Sequence, residues 1–180
     1  MDARQQSWPR IWLMSDERIG DRLWEAIDRL PEGAGIVLRH YSLPVEAREE
    51  LAQRVAEAAD RQGLMLSIAR DAQLAQRVGA KLVHNPARRD PARPFSVAVH
   101  DMSEAEAANA AGAALVFVSP VHATRSHPGR KPLGPELASK LARAAAVPAI
   151  ALGGMDAQRF ALLEREDFYG WAGIDAWLRT

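Results

Sequence analysis

Residues 114–134 read ALVFVSPVHATRSHPGRKPLG, and the reading of this stretch decides the fold. Ala114-Leu115-Val116-Phe117-Val118 is an apolar run with no polar alternation, the pattern of a strand covered on both faces. The run breaks at Ser119-Pro120 into a loop that carries Thr124, Ser126, two histidines, two arginines and a lysine among glycine and proline. A covered strand that ends in a polar, basic loop is where α/β folds put ligand sites. Ala149-Ile150-Ala151-Leu152-Gly153-Gly154 repeats the device one unit later, as a strand ending in a glycine pair.

Working outward, the same strand-then-helix alternation covers the chain. Short apolar runs at 11–14, 35–39, 64–69, 81–84 and 95–100 predict five strands before the opening stretch, and 148–152 and 169–174 predict two after it. Helical spacing predicts helices over 19–30, stopped by Pro31-Glu32-Gly33, and over 44–62, closed by Gly63. Further helices are expected at 71–78, at 103–112 opened by Ser103-Glu104-Ala105-Glu106, at 135–146 and at 156–164, with a last turn at 175–178. Segment 85–94 holds three prolines and three arginines with no apolar period, and reads as a loop in place of the fourth helix. Eight runs without alternation imply a parallel sheet. The expected architecture is a compact (β/α)₈ barrel, with a doubly wound open sheet as the alternative. Residues 1–10 read as an N-terminal tail and 11–180 as one domain.

Composition bounds the function. Lys and Arg number 23 and Asp and Glu 23, so no whole-protein field points to nucleic acid or an anionic membrane. Cysteine is absent, which removes disulfides, thiolate nucleophiles and Cys-ligated metal. No apolar signal core or membrane-length run occurs, and the reading is cytoplasmic. The expected partner is a small molecule. A homodimer is also considered, with Trp171 and Trp177 as interface residues.

In a parallel barrel the C-terminal strand ends share one face. At those ends stand Asp16, Arg39-His40, Arg70-Asp71, His84-Asn85, His100-Asp101, His122 with the Thr124–His127 loop, Gly153-Gly154 and Asp175. All five histidines of the chain fall there. Histidine is the side chain suited to acid/base work near neutral pH. A lone strand-end histidine is more often a hydrogen-bonded structural residue. No H-x-H or H-x₃-H pair supports a zinc or iron site. Gly153-Gly154 suits either a tight turn or the presentation of N–H groups to an anion.

The stretches Ser119-Pro120-Val121-His122-Ala123-Thr124-Arg125-Ser126-His127 and Ala149-Ile150-Ala151-Leu152-Gly153-Gly154 resemble the thiamine-phosphate synthase/TenI superfamily. The family's corresponding stretches read roughly G-P-[VI]-F-x-T-x-[ST]-K and P-[VI]-[VY]-A-I-G-G-I. Leu13-Met14-Ser15-Asp16, Gly79-Ala80 through Val83-His84, and Val97-Ala98-Val99-His100 match further family segments in order, so the resemblance covers nearly the whole chain. It implies a (β/α)₈ barrel that joins or processes the thiazole and pyrimidine halves of thiamine. The family synthase condenses a pyrimidine pyrophosphate with thiazole phosphate, with Mg²⁺ assisting loss of pyrophosphate. Here the residues depart from that pattern. Of the family's Q-x-R-x-K only Arg39 survives, the N-D after the third strand is Ala69-Arg70, and the second Mg²⁺ aspartate falls at Arg89 or Asp90. The loop lysine is His127, and the phosphate-binding serine of the eighth strand falls at Asp175, a charge that would repel phosphate.

Against the family pattern, Thr124 and Ser126 keep the loop hydroxyls and Gly153-Gly154 the amide donors, so the resemblance implies that the thiazole-facing half is partly retained and the pyrophosphate-Mg²⁺ half largely lost. The TenI branch includes thiazole tautomerases, which need no metal and use a sixth-strand histidine. That position aligns with Pro120, and His122 two residues on would share its strand face. The resemblance thus implies an enzyme of thiamine biosynthesis that handles thiazole phosphate, either a diverged synthase or a thiazole isomerase. His122 and His127 are the catalytic candidates. Arg39, His100, Thr124, Ser126, Gly153 and Gly154 are the substrate- and phosphate-binding candidates. No cofactor is implied except Mg²⁺ where synthase activity is retained. The alternative is a non-catalytic or regulatory member that has lost the Mg²⁺-pyrophosphate chemistry.

Overall fold

Eight short strands form the wall of the molecule in this computed structural model, which describes residues 7–126, 129, 131–163 and 167–178. In chain order they are β1 (Ile11–Met14), β2 (Gly35–Leu38), β3 (Met65–Ala69), β4 (Leu82–His84), β5 (Phe95–Val99), β6 (Leu115–Val118), β7 (Ala149–Leu152) and β8 (Gly170–Gly173). Each pairs in parallel with the next, and β8 returns to β1, so the sheet is a closed barrel and not the open alternative. The outer layer is α1 (Arg22–Asp28), α2 (Val45–Gln62), α3 (Ala72–Arg77), α4 (Met102–Ala111), α5 (Pro135–Ala144) and α6 (Ala157–Ala161). Residues 85–94 contain no helix. The chain passes from β4 to β5 through a loop in which the Asn85 side chain accepts from the Ala98 N–H at 2.9 Å.

Helix starts follow one local rule. Asp71, Asp101 and Asp156 stand after strands in extended conformation, and each carboxylate accepts the N–H three residues on, from Leu74, Glu104 and Arg159. These satisfy N–H groups that the first helical turn leaves unpaired. The expected cap at Ser103 is thus Asp101, two residues earlier. Asp16 does the same for the 3₁₀ turn Glu17–Ile19, accepting from Arg18.

The lumen is filled from the wall itself. Following alternate residues through the register puts Trp12, Gly35, His84, Ser96 and Phe117 on the inner side. The Trp12 ring meets Phe117 edge-on at 5.6 Å, and His84 meets Phe117 edge-on at 5.1 Å. Trp12 fits because its register partner is Gly35, where an added Cβ would lie 2.2 Å from the indole.

Residues 8–10 are not a free tail. The Trp8 carbonyl accepts from Tyr169 Oη at 2.6 Å, Pro9 accepts from Trp12 Nε1 at 2.7 Å, and Arg10 accepts from the Trp171 N–H at 2.8 Å. They close the N-terminal end of the barrel. Trp171 and Trp177 stack on each other at 5.1 Å with 8° between planes. No helix among the described residues is long and apolar enough to cross a membrane.

A methyl group at Gly35 has to displace the Trp12 indole. Gly35→Ala is expected to cost about 1–3 kcal/mol, read from urea unfolding. Trp12→Leu should cost less in the Gly35→Ala background than alone, because the two side chains compete for one volume.

Candidate functional site

A cavity of about 510 Å³ opens at the C-terminal ends of the strands, where parallel barrels carry their sites. Arg39, His100, Thr124, Ser126, Gly153 and Gly154 all line it. Arg39 sits at the end of β2, and its position is fixed from three directions. Its N–H donates to Ser15 Oγ at 2.8 Å, its Nε to the Ser15 carbonyl at 2.6 Å, and its Nη2 to Asp16 Oδ2 at 3.1 Å. Burial pulls this guanidinium below its ordinary value, and the Asp16 carboxylate opposes the shift.

His100 follows β5. Glu104 Oε2 lies 2.7 Å from its ring Nδ1 and accepts its backbone N–H at 2.7 Å. The network assigns the Nδ1 proton to that carboxylate bond and makes Nε2 the open ring nitrogen. Thr124 and Ser126 stand on the loop after β6, their hydroxyls 3.4 Å apart.

Gly153 and Gly154 end β7 with φ of 99° and 58°. Among the described residues no hydrogen bond takes up the N–H of either. The pair is also demanded by packing. A Cβ on Gly153 would lie 2.6 Å from Pro120 Cα, and one on Gly154 would lie 2.6 Å from the Ala123 carbonyl. The β6 loop therefore rests on this turn, and the Val121 and His122 N–H groups bond to the Leu152 and Gly153 carbonyls at 2.8 and 3.0 Å. Arg159 of α6 reaches back to the Gly154 carbonyl and lines the cavity beside the glycines.

The gathering of histidines expected from strand ends does not form. His84 points inward below the mouth and hydrogen-bonds Ser96 Oγ at 3.0 Å. His40 is buried beside Ser15 Oγ at 3.2 Å. β6 ends at Val118, four residues short of His122, so the strand alternation does not carry to it. His122 is not among the residues lining the cavity. It lies behind the glycine turn, where burial and then Arg159 hold its imidazole below the usual value, against Asp156. His127 lies outside the described residues.

Two arginines carried no signal in the sequence: Arg159, which lines the cavity, and Arg18, which pairs with the cavity residue Asp175. Arg159 follows its cap Asp156 by three residues, and Arg18 lies in the 3₁₀ turn. Arg18 Nη2 is 3.0 Å from Asp175 Oδ1, and Arg125 Nη2 is 3.0 Å from Asp175 Oδ2. With Arg18 on Asp16 at 3.4 Å and Asp16 on Arg39 at 3.1 Å, a charged chain crosses the mouth.

A family model described as thiamine monophosphate synthase matches residues 13–177. The chain belongs to the thiamine monophosphate synthase family. It is 26% identical over 182 residues to the protein named "Putative thiamine-phosphate synthase 2" of Aquifex aeolicus, spanning 94% of this chain and 98% of that one. It is 34% identical over 152 residues to the thiamine biosynthesis bifunctional protein ThiM/ThiE of Symbiobacterium thermophilum, where the match takes 78% of this chain and 32% of the larger protein. The solved thiamine phosphate pyrophosphorylase from Pyrococcus furiosus superposes with a TM-score of 0.79 at 18% identity, over 93% of this chain and 86% of that one, and bears on the fold alone.

The family resemblance brings with it an expectation of Mg²⁺, and the donor set at the β3 and β4 ends does not fit it. Arg70 adopts φ 68° and lays its guanidinium 4.8 Å from the Tyr41 ring centroid. Asp71 caps α3 and pairs with Arg48 at 3.4 Å, and Asp90 accepts the Ala92 N–H at 2.9 Å. Among the described residues no three His, Asp or Glu side chains converge as a metal shell.

Burial pushes the His84 imidazole down to about 3, so the folded chain keeps it neutral while the unfolded chain protonates it near 6.5. The unfolded state therefore binds the extra proton across that window, and stability falls as pH drops through it. The slope reaches about 1.4 kcal/mol per pH unit for each proton taken up. His84→Gln should flatten the stability profile between pH 6.5 and 5 in urea unfolding, leaving the slope of His40 and His122, whose imidazoles are also held low.

Proposed function

We propose that this chain serves thiamine biosynthesis by binding a thiazole phosphate at the barrel mouth and moving a proton on it. The observation that carries the reading is the Gly153-Gly154 turn, with N–H groups not taken up among the described residues and the Arg159 guanidinium beside it. Successive amides in a left-handed glycine turn suit a phosphate oxygen, and a guanidinium adds charge. Met14, Leu152 and Ile174 line the cavity and offer apolar wall to a ring.

Proton transfer falls to His100. Its ring lines the cavity, and Glu104 holds one ring nitrogen so that the other receives and returns a proton. An isomerisation needs no more, since the proton removed from one ligand atom is delivered to another and His100 ends as it began. His122, behind the glycine turn, positions that turn. Thr124 and Ser126 supply hydroxyls to the ligand from the β6 loop. No step is routed through Mg²⁺, because the carboxylates beside β3 and β4 are engaged as caps and ion partners. The same engagement favours a second reading, a member that binds the thiazole phosphate without turning it over.

Calorimetric titration separates these readings. Thiazole phosphate should bind without added metal, and the pyrimidine pyrophosphate should not bind better with Mg²⁺. Magnesium-dependent pyrophosphate binding would restore the synthase. Exchange of ligand protons with D₂O, followed by NMR, then tests the chemistry. His100→Ala should abolish the exchange while changing ligand affinity by about twofold or less. Binding with no exchange by the unaltered protein selects the non-catalytic reading.

A further inference from the structure

We infer that Asp175 is an internal anion of the mouth that competes with the phosphate of the ligand for Arg125 and so sets the affinity threshold of the site. The inference rests on the phosphate-binding reading above and adds to it a residue that works against the ligand.

The geometry is that of an anion already seated. Asp175 follows β8 on the cavity wall. Its Oδ2 receives Arg125 Nε at 3.2 Å and Nη2 at 3.0 Å, and its Oδ1 lies 3.0 Å from Arg18 Nη2. Around the same cavity stand the Gly153 and Gly154 amides and Arg159. Amides and guanidiniums lining one cavity favour negative charge there. In the free protein the carboxylate holds Arg125 and Arg18.

The two arginines differ in what they lose when a ligand arrives. Arg18 is shared with Asp16 at 3.4 Å and stays tied to the wall. The Arg125 side chain is 75% exposed, comes from the β6 loop, and is held by Asp175. It is the arm that transfers from the carboxylate to an incoming phosphate. Every phosphate entering the mouth therefore takes Arg125 from Asp175 and settles near a like charge. That cost is common to all phosphates. An inorganic phosphate has only the amides and arginines to offset it. A phosphate monoester whose ring also covers Met14, Leu152 and Ile174 has more. The threshold thus admits ring-bearing phosphate monoesters and turns away free phosphate.

The test is a titration of the unaltered protein, Asp175→Asn and Asp175→Ser with inorganic phosphate and with thiazole phosphate. Both substitutions should tighten inorganic phosphate by about three- to tenfold, and thiazole phosphate by the same factor. Adding Arg125→Ala to Asp175→Asn should remove most of the gain. In the unaltered protein, the Arg125 Nε–H resonance, assigned through Arg125→Lys, should move on titration with phosphate. Tighter inorganic phosphate with no thiazole phosphate binding in any variant keeps the role of Asp175 and overturns the thiazole reading. Unchanged or weaker phosphate binding in both Asp175 variants, or no phosphate binding in any of them, overturns the inference. An Arg125 resonance that ignores phosphate overturns it as well.

Discussion

A barrel whose strands are three to five residues long has to fill its own lumen, and that constraint governs the mouth above it. Trp12 does most of the filling. It enters because Gly35 has no side chain, and its ring sets the edge against which Phe117 and then His84 pack. A histidine inside this layer is tolerated because it stays neutral and meets Ser96 Oγ. These rings occupy the lower lumen, and the cavity opens at the C-terminal strand ends. The cavity sits at the level of Met14, Leu152 and Ile174, walled by residues at the ends of β1, β2, β5, β6, β7 and β8.

The loops over that opening are tied in two different ways. The β6 loop lies on the glycine turn of β7 so closely that neither glycine has room for a Cβ, and backbone bonds join the two. This contact is steric and defines shape. Across the rest of the mouth the tie is electrostatic, running from Arg39 through Asp16 and Arg18 to Asp175 and Arg125. Half-exposed ion pairs contribute little to stability one by one. Their effect is to orient guanidiniums around an opening.

The fold was legible because most wall strands are buried along their length and read as apolar runs, interrupted at Ser67 in β3 and Ser96 in β5. Glycine and aspartate mark the ends, as at Gly63, Gly112, Asp71 and Asp156. Six of the candidate site residues share one cavity for the same reason: strand ends of a parallel barrel face one way. The rule tells which end a residue occupies, not which side of the wall. His84 therefore falls inside the lumen, His40 behind the β1 loop, and His122 behind the glycine turn. Arg18 and Arg159 look like any solvated helical arginine in a sequence. The Arg125–Asp175 pair joins residues 50 apart on different loops, a separation over which no local pattern extends.

The aspartates of the mouth face illustrate how local structure limits chemistry. Asp71, Asp101 and Asp156 are spent on helix N-termini, and Asp16 and Asp175 on arginines. A carboxylate that accepts a backbone N–H at a helix start has a fixed direction, and turning it toward a dication would unpair that N–H. Where the family pattern asks for a metal carboxylate after β3, this chain has Arg70 in a left-handed conformation with its cation over Tyr41. Charge at the mouth is thus handled by guanidiniums and amides. Such donors match a single phosphate group well, since each oxygen takes directed hydrogen bonds. The proposed reading draws on that match: the phosphate stays in place, and the ring it anchors is the part that reacts.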